Sequence, residues 1–428
     1  MTAGPDLMRI DHVYAAVSPR IVAANGIRLA GADGHTYLDA EACNGGSIFG
    51  FDPSLLRTAM RSLSNLPAAP SFVETQPRVE LAARLRRLFE HGAEDWTGRT
   101  IFDTSGAGGI ETAVKLCANR IQSHRIFTLA GAYHGRSIYT SSLSGSFRYR
   151  QTAGVQEYPV TRLPMCAEGD PDTAAVTELA LRYLRDEMWG ASATAGYRGR
   201  FVRPILLFES FQNVGGGVMV ASDFLRALCD EVHSQGGLVI ADETYTGLFR
   251  TGQLWGHRVS GVRPDIVVAC KAFSNAMAPF SAVWAHDEVC DDDVAVPGLQ
   301  SGTYSSCVTS IAIVHAVLDR VDELGLGYLA GRASWIGTGL AQLAESLAAE
   351  FDCVASASVY GCVLRLGLTV AASELRGHLL ALPTDRLIVA STGLAKYTAL
   401  IAPALVVTDA DLAAIGDLLR CGLRKVAQ

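Results

Sequence analysis

The chain lacks any apolar run of the roughly 18 residues that a membrane-spanning helix needs. Its first residues, MTAGPDLMRIDHV, also lack a charged-then-apolar leader pattern. A cytoplasmic protein with no membrane partner is therefore expected. Basic surplus is missing as well: the formal net charge is −7 and no cluster of lysines and arginines stands out. Without such a surplus there is little to bind a phosphate backbone, so small molecules are expected as partners and nucleic acid is not. The cysteines are scattered without a CxxC pair, and the histidines without an HExxH motif. That spacing argues against a zinc cage, a disulfide framework or a metal-dependent mechanism. No Gly-Lys-Ser/Thr follows a glycine-rich turn, and no GxGxxG follows an early strand, which argues against P-loop and dinucleotide-binding enzymes.

What is present is the composition of a large globular chain. With 49% of residues hydrophobic and 18% charged it can bury an extensive core, and 428 residues suit one large domain and one smaller. Short apolar runs that end in polar or glycine residues recur at Thr100–Thr104, Arg125–Leu129, Ile205–Glu209, Leu238–Asp242, Ile266–Cys270 and Ser281–Ala285. These read as buried strands of a mostly parallel sheet. Between them lie helical patterns such as Ile110–Ile121, where Ile110, Val114 and Cys117 share one face. Alternating strands and helices predict an α/β domain with its active site at the carboxyl ends of the strands. From about Ser305 the pattern turns to long helices, Ile311–Leu324 and Tyr328–Phe351, then short strands and a last helix, Asp409–Val426. The expected organisation is an N-terminal segment over 1–50 packing with the small domain, a large domain over 51–304, and a small α+β domain over 305–428. Asp291–Thr303 is the expected loop near the boundary.

Four segments carry chemistry in combination. Asp103–Gly109 (DTSGAGG) joins a strand to a helix, where glycines let backbone approach an anion and free amides at the helix start can donate to it. A tight connection is the plainer reading of that turn alone. Gly131–Gly135 (GAYHG) follows a strand and offers Tyr133 as a flat face for a planar ring, against a simple packing role. The strand Leu238–Glu243 (LVIADE) delivers Asp242 to a carboxyl end, where it would serve either catalysis or a helix N-cap. Pro264–Lys271 (PDIVVACK) delivers a lysine to the same edge without an acidic neighbour in sequence. That is costly unless the lysine has a covalent task or its head reaches solvent.

In order and spacing, these segments resemble the class III, or ω-, aminotransferases over nearly the whole chain. The likeness also takes in Gly31–Asp39 (GADGHTYLD), Thr246–Gly247, Arg250–Gly252 (RTG), Pro264–Ile266 and Gly302–Tyr304 (GTY). The resemblance implies the pyridoxal 5'-phosphate (PLP) fold type I: a mostly parallel seven-stranded sheet in the large domain, and a homodimer whose subunits share each active site. It implies that Ser105, Gly106 and Ala107 bind the cofactor phosphate, with Thr303 reaching it from the partner subunit, and that Tyr133 stacks on the pyridine ring beside His134. Asp242 would hold the ring nitrogen protonated, and Lys271 would form the Schiff base and move the substrate proton.

The chain departs from the family pattern in three places. Thr244 and Tyr245 stand where valine and glutamine are usual, and are expected still to contact the cofactor. Gly108 and Gly109 replace better helix formers, at a cost of about 1 kcal/mol each. In Leu400–Leu405 (LIAPAL), Leu400 stands where the family usually has an arginine that clamps the substrate carboxylate. Glu209, which matches that arginine's usual partner, would then face a polar group of the substrate, and Arg148, Arg150, Arg386 or Lys396 could supply the missing charge. The expected activity is amino transfer between an amine-bearing substrate, one not clamped by an α-carboxylate, and a keto acid or aldehyde, in a specialised biosynthetic setting. Epimerisation or decarboxylation on the same scaffold, and a catalytically silent binding protein, are the alternatives; retention of Asp242 and Lys271 argues against silence.

Overall fold

The computed structural model describes residues 19–93, 95–145, 158–195, 202–393 and 396–427. The chain divides into two compact units, Ser54–Ala330 on the one hand and Met1–Pro53 with Gly331–Gln428 on the other.

At the centre of the first unit is a seven-stranded sheet in the order Gly98–Asp103, Ser281–His286, Ile266–Ala269, Leu238–Asp242, Pro204–Phe208, Arg125–Leu129, Val160–Leu163. Ser281–His286 runs antiparallel to both of its neighbours, and the remaining pairs are parallel. Alternation along the strands divides the core between two faces. Ile205 and Leu207 point with Ile240, Ile266 and Val268 to one side, where Ile110, Ala113, Val114 and Cys117 of the helix Gly106–Ile121 cover them. Leu206, Phe208, Val239 and Ala241 point to the other side, against Leu184 and Met188 of the helix Thr173–Ala195 and Phe224, Leu225 and Leu228 of the helix Ser222–Ser234. Because both faces are covered, the inner strands read as unbroken apolar runs.

The seventh strand, Val160–Leu163, was not among the six runs picked out from the sequence. Of its residues VTRL at the sheet edge only Leu163 is fully buried, and they form no apolar run to betray the strand. The division after Ala330 also falls later than the expected 304/305 boundary. The reason is packing: Val308, Ala312, Ile313 and Ala316 of the helix Val308–Leu324 join Ala59 and Leu63 in one cluster. On the same helix Asp319 and Asp322 both accept from Arg84, at 2.7 and 2.6 Å.

The second unit holds two four-stranded sheets. One joins the N-terminal strands Ile21–Asn25, Arg28–Gly31 and Thr36–Asp39 to Arg386–Ile388, through a parallel pairing of Thr36–Asp39 with Arg386–Ile388. The other runs Val354–Tyr360, Val363–Leu368, Thr398–Ile401, Ala390–Thr392. The helices Ala372–Leu380 and Asp409–Val426 belong to this unit. Among the described residues no helix is long and apolar enough to cross a membrane.

Candidate active site

Five connections leave the same edge of the large sheet, the carboxyl ends of its parallel strands. The first starts after Gly98–Asp103 and opens the helix Gly106–Ile121. Ser105 is its N-cap, with extended backbone and a side chain that accepts from the Gly108 amide at 3.0 Å. The Gly106 and Ala107 amides belong to the first turn, where a helix offers no internal acceptor. A Cβ at Gly106 would stand 3.1 Å from Thr244 Cγ2 and 3.2 Å from Thr244 Oγ1, so glycine allows Thr244 to close on the helix start. Gly109 brings the helix against the sheet: a Cβ there would lie 2.8 Å from Val268 and 3.0 Å from Ser281 Oγ.

The second connection, after Arg125–Leu129, carries Tyr133 and His134. The Tyr133 amide donates to Glu209 Oε2 at 2.7 Å, which joins this turn to the residue just beyond the strand Pro204–Phe208. Arg136 Nε donates to the Tyr133 hydroxyl at 3.2 Å. His134 is buried; its amide donates to Ser144 Oγ at 3.0 Å and its Nδ1 lies 2.9 Å from Asp242 Oδ2. That pairing places the proton on Nδ1, donated to the carboxylate, and the buried Nε2 makes no hydrogen bond.

Asp242 ends the strand Leu238–Asp242, and its other oxygen accepts from the Thr244 amide at 3.0 Å. The neighbouring Glu243 turns the opposite way and is fully enclosed. It accepts from the amides of Gly256 and His257, both at 2.7 Å, and pairs with His257 Nδ1 at 2.9 Å and with the Thr246 hydroxyl. Burial works to raise its pKa, yet the His257 bond and these further donors win, and the carboxyl is held below the usual range. Glu243 therefore clamps the 244–257 turn that presents Thr244 and Tyr245.

Lys271 follows the strand Ile266–Ala269 and begins a short 3-10 helix, Lys271–Ser274. Its φ is +35°, a sparsely populated conformation for a residue with a side chain. Nζ lies 5.3 Å from the centroid of the Tyr245 ring, which stacks on Phe211 at 5.8 Å. Glu209 is pushed well above the ordinary carboxylate range: burial is the main cause and the negative charge of Asp242 adds to it, against smaller opposing effects of the Tyr133 amide and Lys271.

The fold thus gathers Ser105, Gly106, Ala107, Tyr133, His134, Glu209, Asp242, Thr244, Tyr245 and Lys271 at one sheet edge of one unit. Thr303 stands apart, solvent-exposed in a turn after Gly302. Leu400 lies in the other unit, buried at 1% exposure in the strand Thr398–Ile401 between Arg365 and Ala390 of the adjacent strands. Arg386 is engaged where it stands, 2.6 Å from Asp33 and bonded to Tyr37. Arg148 and Arg150 fall outside the described residues. Two contributors escaped the sequence reading: Arg136, whose one signal was its place directly after the GAYHG turn, and Phe211, which backs Tyr245. No group of three or more metal-binding side chains occurs among the described residues.

A strand-end lysine, a buried aspartate and a helix start freed of side chains define an aldehyde-cofactor transferase of the PLP type. The family described as Aminotransferase class-III matches residues 12–421, and the chain belongs to it: it is a PLP-dependent class III aminotransferase. The acetylornithine aminotransferase of Brucella melitensis is 30% identical over 332 residues, 75% of this chain and 73% of that protein. The diaminobutyrate–2-oxoglutarate aminotransferase of Rhizobium meliloti is 26% identical over 361 residues, 82% and 73% of the respective chains. Among solved structures, an amine transaminase from an uncultivated Pseudomonas species, in its PLP-bound form, superposes with a TM-score of 0.86 at 22% identity over 99% of this chain and 100% of that one.

Proposed function

We propose that the enzyme transfers an amino group from a substrate whose reacting amine stands away from any α-carboxylate to a keto acid or aldehyde, with the cofactor held by Lys271. The observation that carries this reading is the convergence of Lys271, Asp242 and Tyr133 with a helix start that fits a phosphate. The fit rests on Thr244 Oγ1, buried without a hydrogen-bond partner and brought against the helix start by the missing side chain at Gly106. When bound, PLP supplies an aldehyde that takes up the amino group and a ring that draws electron density from the carbon next to it.

The chain's own residues divide the remaining work. Ser105, Gly106, Ala107 and Thr244 would hold the phosphate, and Tyr133 would lie against the ring. Asp242 would face the ring nitrogen, its carboxylate oriented by His134 and the Thr244 amide, so that a proton is kept on that nitrogen. His134 acts through Asp242. Lys271 would attach the cofactor and, once released, carry the proton to and from the substrate carbon. Leu400, buried in its sheet, has no charge to offer a carboxylate. Arg136, tied to the Tyr133 hydroxyl, brings a guanidinium to this edge and suits a carboxylate at the far end of a substrate, while Glu209 suits a neutral polar group. Thr303 is assigned to the phosphate site of a partner subunit in a homodimer.

Borohydride reduction of the PLP-loaded enzyme followed by peptide mapping tests the assignment. The pyridoxyl group is expected on Lys271; finding it on Lys115, Lys396 or Lys425 would overturn the reading.

A further inference from the structure

Tyr245 stands where the family usually has glutamine. The residue is 6% exposed, and stacking of its ring against the wholly buried Phe211, with an interplanar angle of 17°, fixes its face. Over that face stands Lys271 Nζ, 5.3 Å from the ring centroid. An aromatic face attracts an ammonium through its quadrupole, and the attraction grows as water is excluded. The Glu209 carboxyl lies within electrostatic reach of both Lys271 and Asp242.

We propose that Tyr245 is the seat of the Lys271 ammonium whenever that amine is not joined to the cofactor, a positioning residue that returns the free lysine to one place at the sheet edge. Phe211 holds the seat rigid. The strained backbone at Lys271 sets where the side chain leaves the turn, and the Tyr245 face decides where its end comes to rest. This inference rests on Lys271 being the cofactor lysine.

The test uses full-length enzyme loaded with pyridoxamine 5'-phosphate, which has no aldehyde and leaves Lys271 free. Acetylation of Lys271 by acetic anhydride at neutral pH is followed by mass spectrometry in wild type, Tyr245→Phe, Tyr245→Leu and a variant with trifluorophenylalanine at 245. The fluorinated ring keeps its shape but loses the negative face. Tyr245→Phe is expected to label within about twofold of wild type, and the fluorinated ring and leucine about three- to tenfold faster, because the ammonium form has lost its seat. Equal rates for phenylalanine and its fluorinated counterpart would overturn the proposal, and so would a Tyr245→Phe rate matching Tyr245→Leu. Should the leucine variant fail to fold, the fluorinated pair decides alone. Borohydride mapping of the PLP-loaded variants is read separately: loss of the Lys271 label there sinks the cofactor assignment, whereas an intact label with unchanged acetylation sinks only the role of Tyr245.

Discussion

At the scale of single residues, burial beside a second carboxylate sets the behaviour of Glu209. Glu209 is enclosed near Asp242, and its folded-state pKa lies above the unfolded one. Such a group stabilises the fold fully below the ordinary carboxylate range, and that contribution is lost as pH rises through the raised value. Glu209→Gln keeps an oxygen for the Tyr133 amide and removes the buried charge. Its melting temperature is therefore expected to match wild type near pH 4 and to exceed it at pH 8. An equal melting temperature at both pH values would mean that Glu209 is not stressed by burial. Two substitutions test the proposed substrate choice, one at Leu400 and one at Arg136. With Leu400 in place of a clamp, terminal amines are expected to react faster than matched α-amino acids in the first half-reaction, and Leu400→Arg should narrow the gap. Arg136→Gln is expected to raise KM for amines with a distant carboxylate by roughly ten- to a hundredfold, the worth of one charge-assisted hydrogen bond, and to leave uncharged amines nearly unaffected. Equal effects on both amine classes would take Arg136 out of carboxylate recognition.

At the scale of elements, how much the sequence revealed depended on burial. The strands ending at Phe208, Asp242 and Ala269 are covered on both faces, so their apolar runs announced both the strand and the residue at its end. Val160–Leu163 lies at the edge and carries no such mark. The His134–Asp242 bond and the Arg136–Tyr133 bond join residues through side-chain direction, which spacing along the chain does not encode. Gly109 marks the opposite case, a weak helix former whose reason appears only in three dimensions. It lets the helix Gly106–Ile121 lie against Val268 and Ser281, and Gly109→Ala would push the helix off the sheet. We expect the substitution to cost about 1–3 kcal/mol of stability by overpacking despite the better helix propensity of alanine. It should also weaken PLP binding, because the phosphate-facing turn moves with the helix. Titration of the variant with PLP and thermal unfolding check both; a more stable Gly109→Ala with unchanged affinity would contradict the packing argument.

At the scale of the whole molecule, the question is what Thr303 serves. The segment before it is tied down on its own chain: Asn119 donates to the Val294 carbonyl at 2.9 Å, Lys115 to the Leu299 carbonyl at 3.2 Å, and Gln300 to Asp103 at 3.1 Å. Yet the turn it leads to is exposed, and Tyr304 at its tip is 70% accessible. Such a turn, held firmly and pointed outward, suits a residue that completes a neighbour's site. A two-fold homodimer is the commonest closed assembly that would let each chain give and receive it. The test pairs two inactive variants. Lys271→Ala removes the cofactor lysine but leaves Thr303 intact; Thr303→Glu keeps the lysine but sets a carboxylate against the phosphate. When the two are produced together, half of the dimers are expected to be hybrids. In each hybrid one site combines Lys271 of one chain with Thr303 of the other and is complete, which restores about a quarter of wild-type activity. Were Thr303 to serve its own chain, no hybrid would contain a complete site and the mixture would stay inactive. An enzyme that sedimented as a fully active monomer would remove the shared site altogether.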